Sequence, residues 1–186
     1  MDVIADLENG SIDSLCTSLE TYIEDHFMEH GPWAISSFNE AAFQVCVYMW
    51  LEQRLPKDWK IDFEKTSDSN RRRADILIET SEGKIIMLEL KYANIATIEY
   101  KGKSEKQNIW KTCRKSKKHV EAAEDPLEII YKPYQTSPKK TVYEHCVEKE
   151  LPKLEDTGAE FDADFSFIIV AVAHRVIPVD PELSDS

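Results

Sequence analysis

The chain has 186 residues, 23 Lys and Arg against 35 Asp and Glu, a formal net charge of −12, and 42% hydrophobic residues. That is enough apolar material for the core of one domain of ordinary size, so neither disorder nor several domains is expected. No apolar run approaches the roughly 20 residues that cross a bilayer, and the first eight residues lack the basic start of a secretory signal, so an intracellular protein, cytoplasmic or nuclear, is expected, with no membrane partner. Taken as a total, −12 argues against a nucleic-acid partner, because polyanions are held by Lys and Arg. Four cysteines, Cys16, Cys46, Cys113 and Cys146, stand far apart with no CxxC pair, which points to isolated thiols rather than a zinc knuckle or a disulfide framework.

Residues 11–30 carry Ile12, Leu15, Cys16, Leu19, Ile23 and Phe27 at helical spacing, with Ser11 as a cap and Gly31-Pro32 as a stop, which predicts an amphipathic helix. His26 and His30 share one face near its end and read as polar residues at a fraying terminus, since no third metal ligand stands nearby. A second helix is predicted over 41–55, ahead of Pro56 and behind the capping-box pattern Ser37-Phe-Asn-Glu40. Glu40 either closes that box on Ser37 or stands as a free acid at the head of an apolar helix.

Strands are predicted at 59–64, 74–80 and 84–92, with Ser81-Glu82-Gly83 turning the last two into an antiparallel hairpin. Both arms of that hairpin are so apolar that burial by helices on both faces is expected. Alternation along 85–92 sends Ile85, Met87, Glu89 and Lys91 to one face and Ile86, Leu88, Leu90 and Tyr92 to the other. Asp75, near the start of the preceding arm, then lies across from Glu89. Three charges converge at one end of an otherwise dry sheet, and buried charges require partners or a metal ion.

Between residues 101 and 118 the composition reverses. Eight Lys or Arg stand against one acid, a net +7, so the remaining 168 residues carry −19. A helix with one cationic face is predicted over 104–123, either a solvated surface or a surface for a polyanion. A short strand and loops follow over 125–140, then a helix over 141–151 ending at Pro152, and a last strand over 165–173. An acidic tail is expected after Pro178.

The order Glu40, Asp75, Glu89-Leu90-Lys91 on helix, strand and strand resembles the PD-(D/E)XK nuclease superfamily, over residues 37–175. Ala74 stands where the name-giving motif has proline. The resemblance implies an α/β fold with a restriction-endonuclease-like α-β-β-β-α-β core, a central mixed sheet flanked by helices, an added N-terminal helical extension over 1–36, an insertion after the third strand, and the acidic tail over 178–186. It also implies a metal-dependent endonuclease that hydrolyses phosphodiester bonds in nucleic acid, DNA ahead of RNA, and leaves a 5′-phosphate and a 3′-hydroxyl.

The same resemblance implies catalytic roles for Glu40, Asp75, Glu89 and Lys91. Asp75, Glu89, Glu40 and the Leu90 backbone carbonyl would be hard oxygen ligands for Mg²⁺ or Mn²⁺, and Lys91 would orient or activate the attacking water. The nucleic-acid backbone would be held by Arg71, Arg72 and Arg73 and by Lys106, Lys111, Arg114, Lys115, Lys117 and Lys118. Gln107 resembles the polar helix residue that several superfamily members place near the metal, and Trp110 either stacks on a base or belongs to the core. The alternative is a nuclease-like fold that binds nucleic acid or a basic protein without cutting. A homodimer is a further option, since many enzymes of this kind pair to cut both strands.

Overall fold

The structure is a computed structural model that describes residues 2–25, 39–69, 72–93, 118, 120, 122–131, 140–172 and 175–179. Its centre is a five-stranded mixed sheet in the order β1-β2-β3-β6-β7, formed by β1 (Lys60–Thr66), β2 (Arg73–Glu79), β3 (Ile85–Ala93), β6 (Phe165–Val172) and β7 (Arg175–Val179). All neighbours run antiparallel except β3 and β6, which run parallel with Leu88 opposite Phe167 and Leu90 opposite Ile169. A parallel pair needs a crossover, and part of the intervening chain is helical. A two-stranded ribbon of β4 (Ile130–Tyr131) and β5 (Lys140–Thr141) precedes α4 (Val142–His145), a π-helical turn (Cys146–Glu150) and α5 (Leu151–Glu160).

Helices lie on both faces of the sheet, which makes the fold α/β. On one face α1 (Val3–Glu8), α2 (Asp13–Ile23) and α3 (Glu40–Arg54) bring Leu7, Leu15, Leu19, Phe43, Val47 and Leu51 against Ile76, Ile78, Leu88, Leu90 and Ile169. On the other, Cys146, Leu154, Leu127 and Val120 meet Met87, Ile168, Val170 and Val172. The period-two alternation of β3 is the cause: Leu88 and Leu90 go to the first core, while Met87 goes to the second. Burying each such side chain contributes about 1.5–3 kcal/mol. Among the described residues no helix is long and apolar enough to cross a membrane.

Several boundaries differ from the sequence reading, each for a local reason. The helical extension expected over 1–36 begins with a separate short helix, α1, ahead of the one predicted over 11–30; Asp2 caps it by accepting from the N–H groups of Ile4 and Ala5. Gly10, at φ +73°, then turns the chain so close to the Phe165 ring that a Cβ there would stand 2.5 Å from it. The N-cap position of α2 is Ile12, not Ser11, and it makes no side-chain cap bond. For α3 the cap is Asn39, whose side chain accepts from the Ala42 N–H at 2.9 Å, and Glu40 is the first helical residue instead of the third residue of a box on Ser37, which lies outside the described residues.

Pro152 does not end the helix that begins at Val142. The π turn places the proline at the start of α5, where a missing N–H leaves no bond unmade, and helix continues to Glu160. Nor is β6 the last strand. β7 adds an antiparallel edge with Pro178 opposite Ile169, so Pro178 and Val179 belong to the sheet rather than to a tail. Proline is tolerated there because an edge strand has one side without ladder partners.

Candidate functional site

The ladder between β2 and β3 runs from Glu79↔Ile85 to Ile76↔Leu88 and stops there. One residue further, the Asp75 carboxylate accepts from the Leu90 backbone N–H at 2.8 Å and stands in for the missing strand partner. Its neighbour β1 is distorted at the same level. Glu64 takes φ +51° between the pairs Phe63↔Ile76 and Lys65↔Ala74. A side chain inserted into a ladder opens the sheet locally, and into this gap both helical layers reach.

From the first layer come Gln44, which hydrogen-bonds the Asp75 side chain, and Glu40, whose Oε1 lies 3.5 Å from Lys91 Nζ. Gln44 follows Glu40 by one helical turn, so both point the same way along α3. From the second layer comes Glu150, the last residue of the π turn, with Oε2 3.5 Å from the same ammonium. Within β3 itself Glu89 Oε1 is 3.0 Å from Lys91 Nζ, as expected of residues two apart on one strand face. Lys91 is therefore the hub of three carboxylates, and its side chain is only 20% exposed.

The electrostatics follow from that burial. Loss of water raises the Asp75 carboxyl above its ordinary value; the Leu90 N–H, Lys91 and Gln44 pull it back, and Glu40 pushes it up again. Glu89 is raised by burial and by repulsion from Asp75, against the pull of Lys91, and Glu150 adds to the rise. Burial alone disfavours the Lys91 ammonium, yet Glu89, Glu40 and Glu150 together outweigh it and hold the lysine protonated well beyond its ordinary range. His145, 3.9 Å from Glu150, is lowered by burial in spite of that carboxylate. Cys146 beside it is pushed up to about 12, chiefly by burial, and is no nucleophile.

In chemical terms this is an acid-rich, poorly hydrated gap. Asp75, Glu89 and Glu40 are hard oxygen donors of the type that Mg²⁺ and Mn²⁺ take, and Asp75 and Glu89 repel each other. As the side chains stand, the described residues contain no three His, Cys, Asp or Glu gathered around one position suited to an ion. The Lys91 ammonium is the cation that the carboxylates share.

The residues expected to hold nucleic acid are only partly accounted for. Arg72 is ion-paired with Asp156 of α5, and Arg73 lies 3.4 Å from Glu64 of β1, so both guanidinium groups already have carboxylate partners. Lys118 is exposed and helical. Arg71, Lys106, Gln107, Lys111, Arg114, Lys115 and Lys117 lie outside the described residues, as do Trp110 and most of the cationic helix expected over 104–123. The sequence reading missed Gln44 and Glu150. Gln44 carried a signal in its spacing of four from Glu40, whereas Glu150 carried none, because its place depends on a π turn. Comparison of the chain with models of protein families, with curated proteins and with solved structures found no match.

Proposed function

We propose that the protein is a Mg²⁺- or Mn²⁺-dependent nuclease of the PD-(D/E)XK type, hydrolysing phosphodiester bonds in nucleic acid, DNA ahead of RNA, to leave a 5′-phosphate and a 3′-hydroxyl. One observation carries the reading: Asp75, Glu89 and Lys91, with Glu40 from the head of α3, come together where β2 and β3 part. The element order supports it as well. Helix α3, three antiparallel strands, a helical connection and a strand parallel to β3 come in the order that an α-β-β-β-α-β core would need, with β7 added at the edge.

In this reading Asp75, Glu89, Glu40 and the Leu90 carbonyl hold the cation. When bound, the cation neutralises the phosphodiester and makes water a nucleophile near neutral pH. Gln44 and the Leu90 N–H hold the Asp75 carboxylate in place by hydrogen bonds. Lys91, held protonated, orients the attacking water and stabilises charge that develops on the phosphate oxygens. The scissile phosphate enters where the strands diverge, and the eight Lys and Arg of residues 101–118 are the positive charge that the sequence offers to the flanking backbone.

Incubation with plasmid and single-stranded DNA in Mg²⁺ or Mn²⁺ tests the proposal. Cleavage is expected for the native chain and a loss of about 10²–10⁴-fold for Asp75→Ala, Glu89→Ala or Lys91→Ala. Undiminished cleavage by folded variants sinks it. One observation favours a second reading, a nuclease-like module that binds nucleic acid or a basic protein without cutting: the cation among the carboxylates is the protein's own lysine. Calorimetric titration with Mn²⁺ separates the two, since binding that disappears in Asp75→Ala belongs to the nuclease.

A further inference from the structure

We propose that Glu150 is a positioning residue for Lys91: it keeps the ammonium aimed at the gap while Glu40 and Glu89 turn to a divalent cation. The inference rests on the nuclease reading and adds to it a residue outside the Asp, Glu, Lys set. An ammonium has three donors, and Lys91 meets three carboxylates, at 3.0, 3.5 and 3.5 Å. Two of them, Glu89 and Glu40, are also the acids that act on Asp75 or are acted on by it, and they are the donors a cation would recruit. Glu150 approaches from the opposite helical layer. Once the other two are engaged elsewhere, it is the carboxylate left to Lys91.

Three features of the fold make Glu150 suited to this. Its side chain is only 7% exposed, and a carboxylate so far from water is tolerated when it is paired. It has a second partner of its own in Lys153 of α5, whose half-exposed ammonium donates to it at 3.1 Å, so its carboxylate stays charged and bridges the two lysines. It also closes the π turn Cys146–Glu150. A regular α-helix advances about 100° per residue, so the extra residue of a π turn re-aims whatever side chain follows it. Here the turn ends two residues before Pro152, and it leaves Glu150 and Cys146 both directed inward, one to Lys91 and the other into the core.

The experiment compares Glu150→Gln, which keeps shape and removes charge, with Glu150→Asp, which keeps charge, in native and Lys91→Met chains. Without Glu150 the ammonium falls back on Glu89 and Glu40 and competes with the metal. Glu150→Gln is therefore expected to weaken Mn²⁺ binding by calorimetry, and to lower kcat on DNA with KM little changed, each by about 10–100-fold. Glu150→Asp should recover most of both. In Lys91→Met the effect of Glu150→Gln on Mn²⁺ affinity should vanish.

Unchanged affinity and kcat in Glu150→Gln, with the native chain active, overturn the role and leave the nuclease reading intact. So does an effect of equal size with and without Lys91. A native chain that neither binds Mn²⁺ nor cuts DNA overturns both. If Glu150→Gln does not fold, Glu150→Met, which also removes the charge, carries the comparison, with a loss of Mn²⁺ affinity expected in the native background and none in Lys91→Met.

Discussion

Strand β3 is built from one short run of sequence, yet its two faces do opposite things. On the face toward α1, α2 and α3, Leu88 and Leu90 are fully buried among aliphatic and aromatic side chains. On the other, past Met87, Glu89 and Lys91 meet Glu40 and Glu150 in a gap between strands. The first face is held by apolar area, which is non-directional and tolerates modest repacking. The second is held by a few charges whose worth depends on position, and it opposes stability wherever acids repel. Strength and reactivity are separated by a single residue step along one strand.

The comparison is broken most severely by Leu88→Ala. It removes a side chain with no exposed area and should cost about 2–5 kcal/mol, read as a lower denaturant midpoint at unchanged slope. A loss near zero would mean that the apolar face is not the one that holds the fold.

On the charged face the opposite sign is expected. Because Asp75 is raised in the folded chain, the native state binds its proton more tightly than the unfolded state does, and stability falls as pH rises from the ordinary aspartate range through that raised value. Asp75→Asn, which keeps an acceptor for the Leu90 N–H, should therefore raise the melting temperature at pH 7, and the gain should shrink toward pH 4. The native and variant melting curves measured across that range check the sign. A variant less stable at pH 7 than at pH 4, relative to the native chain, contradicts it.

Asn39→Ala sharpens the comparison where the two faces meet, since Asn39 fixes the end of α3 that delivers Glu40 to Lys91. Losing that cap should cost about 1 kcal/mol of stability by chemical denaturation. The smallest effect is expected from Arg72→Ala. Its ion pair with Asp156 is exposed, so stability should change by only about 0–1 kcal/mol. A loss of DNA affinity larger than that would show that Arg72 exchanges Asp156 for phosphate.

Much of the site was legible in the sequence because its parts obey local rules. Period-two alternation puts Glu89 and Lys91 on one face of 85–93, and a hairpin turning at 81–83 brings Asp75 alongside; both depend only on near neighbours and on strand geometry. Where two local signals competed, the sequence could not arbitrate. Ser37 and Asn39 are both good caps, and the structure uses Asn39. Pro152 signals a stop in an α-helix but not after a π turn. Pro178 demotes a strand in mid-sheet yet is accepted at an edge.

What the sequence by itself determined is the set of short-range periods: which residues alternate, which recur every three or four, and where acid and base stand next to each other on a strand. What only the tertiary structure decided is which distant residues join them. Glu40 lies 51 positions before Lys91 and joins it in the sequence only through the resemblance, Glu150 lies 59 after it and carries no signal at all, and no local period spans such intervals. They meet at one ammonium where β2 and β3 part: the half-buried charge of Lys91 and the buried carboxylate of Glu150 need partners there, and the exposed head of α3 brings Glu40 within reach.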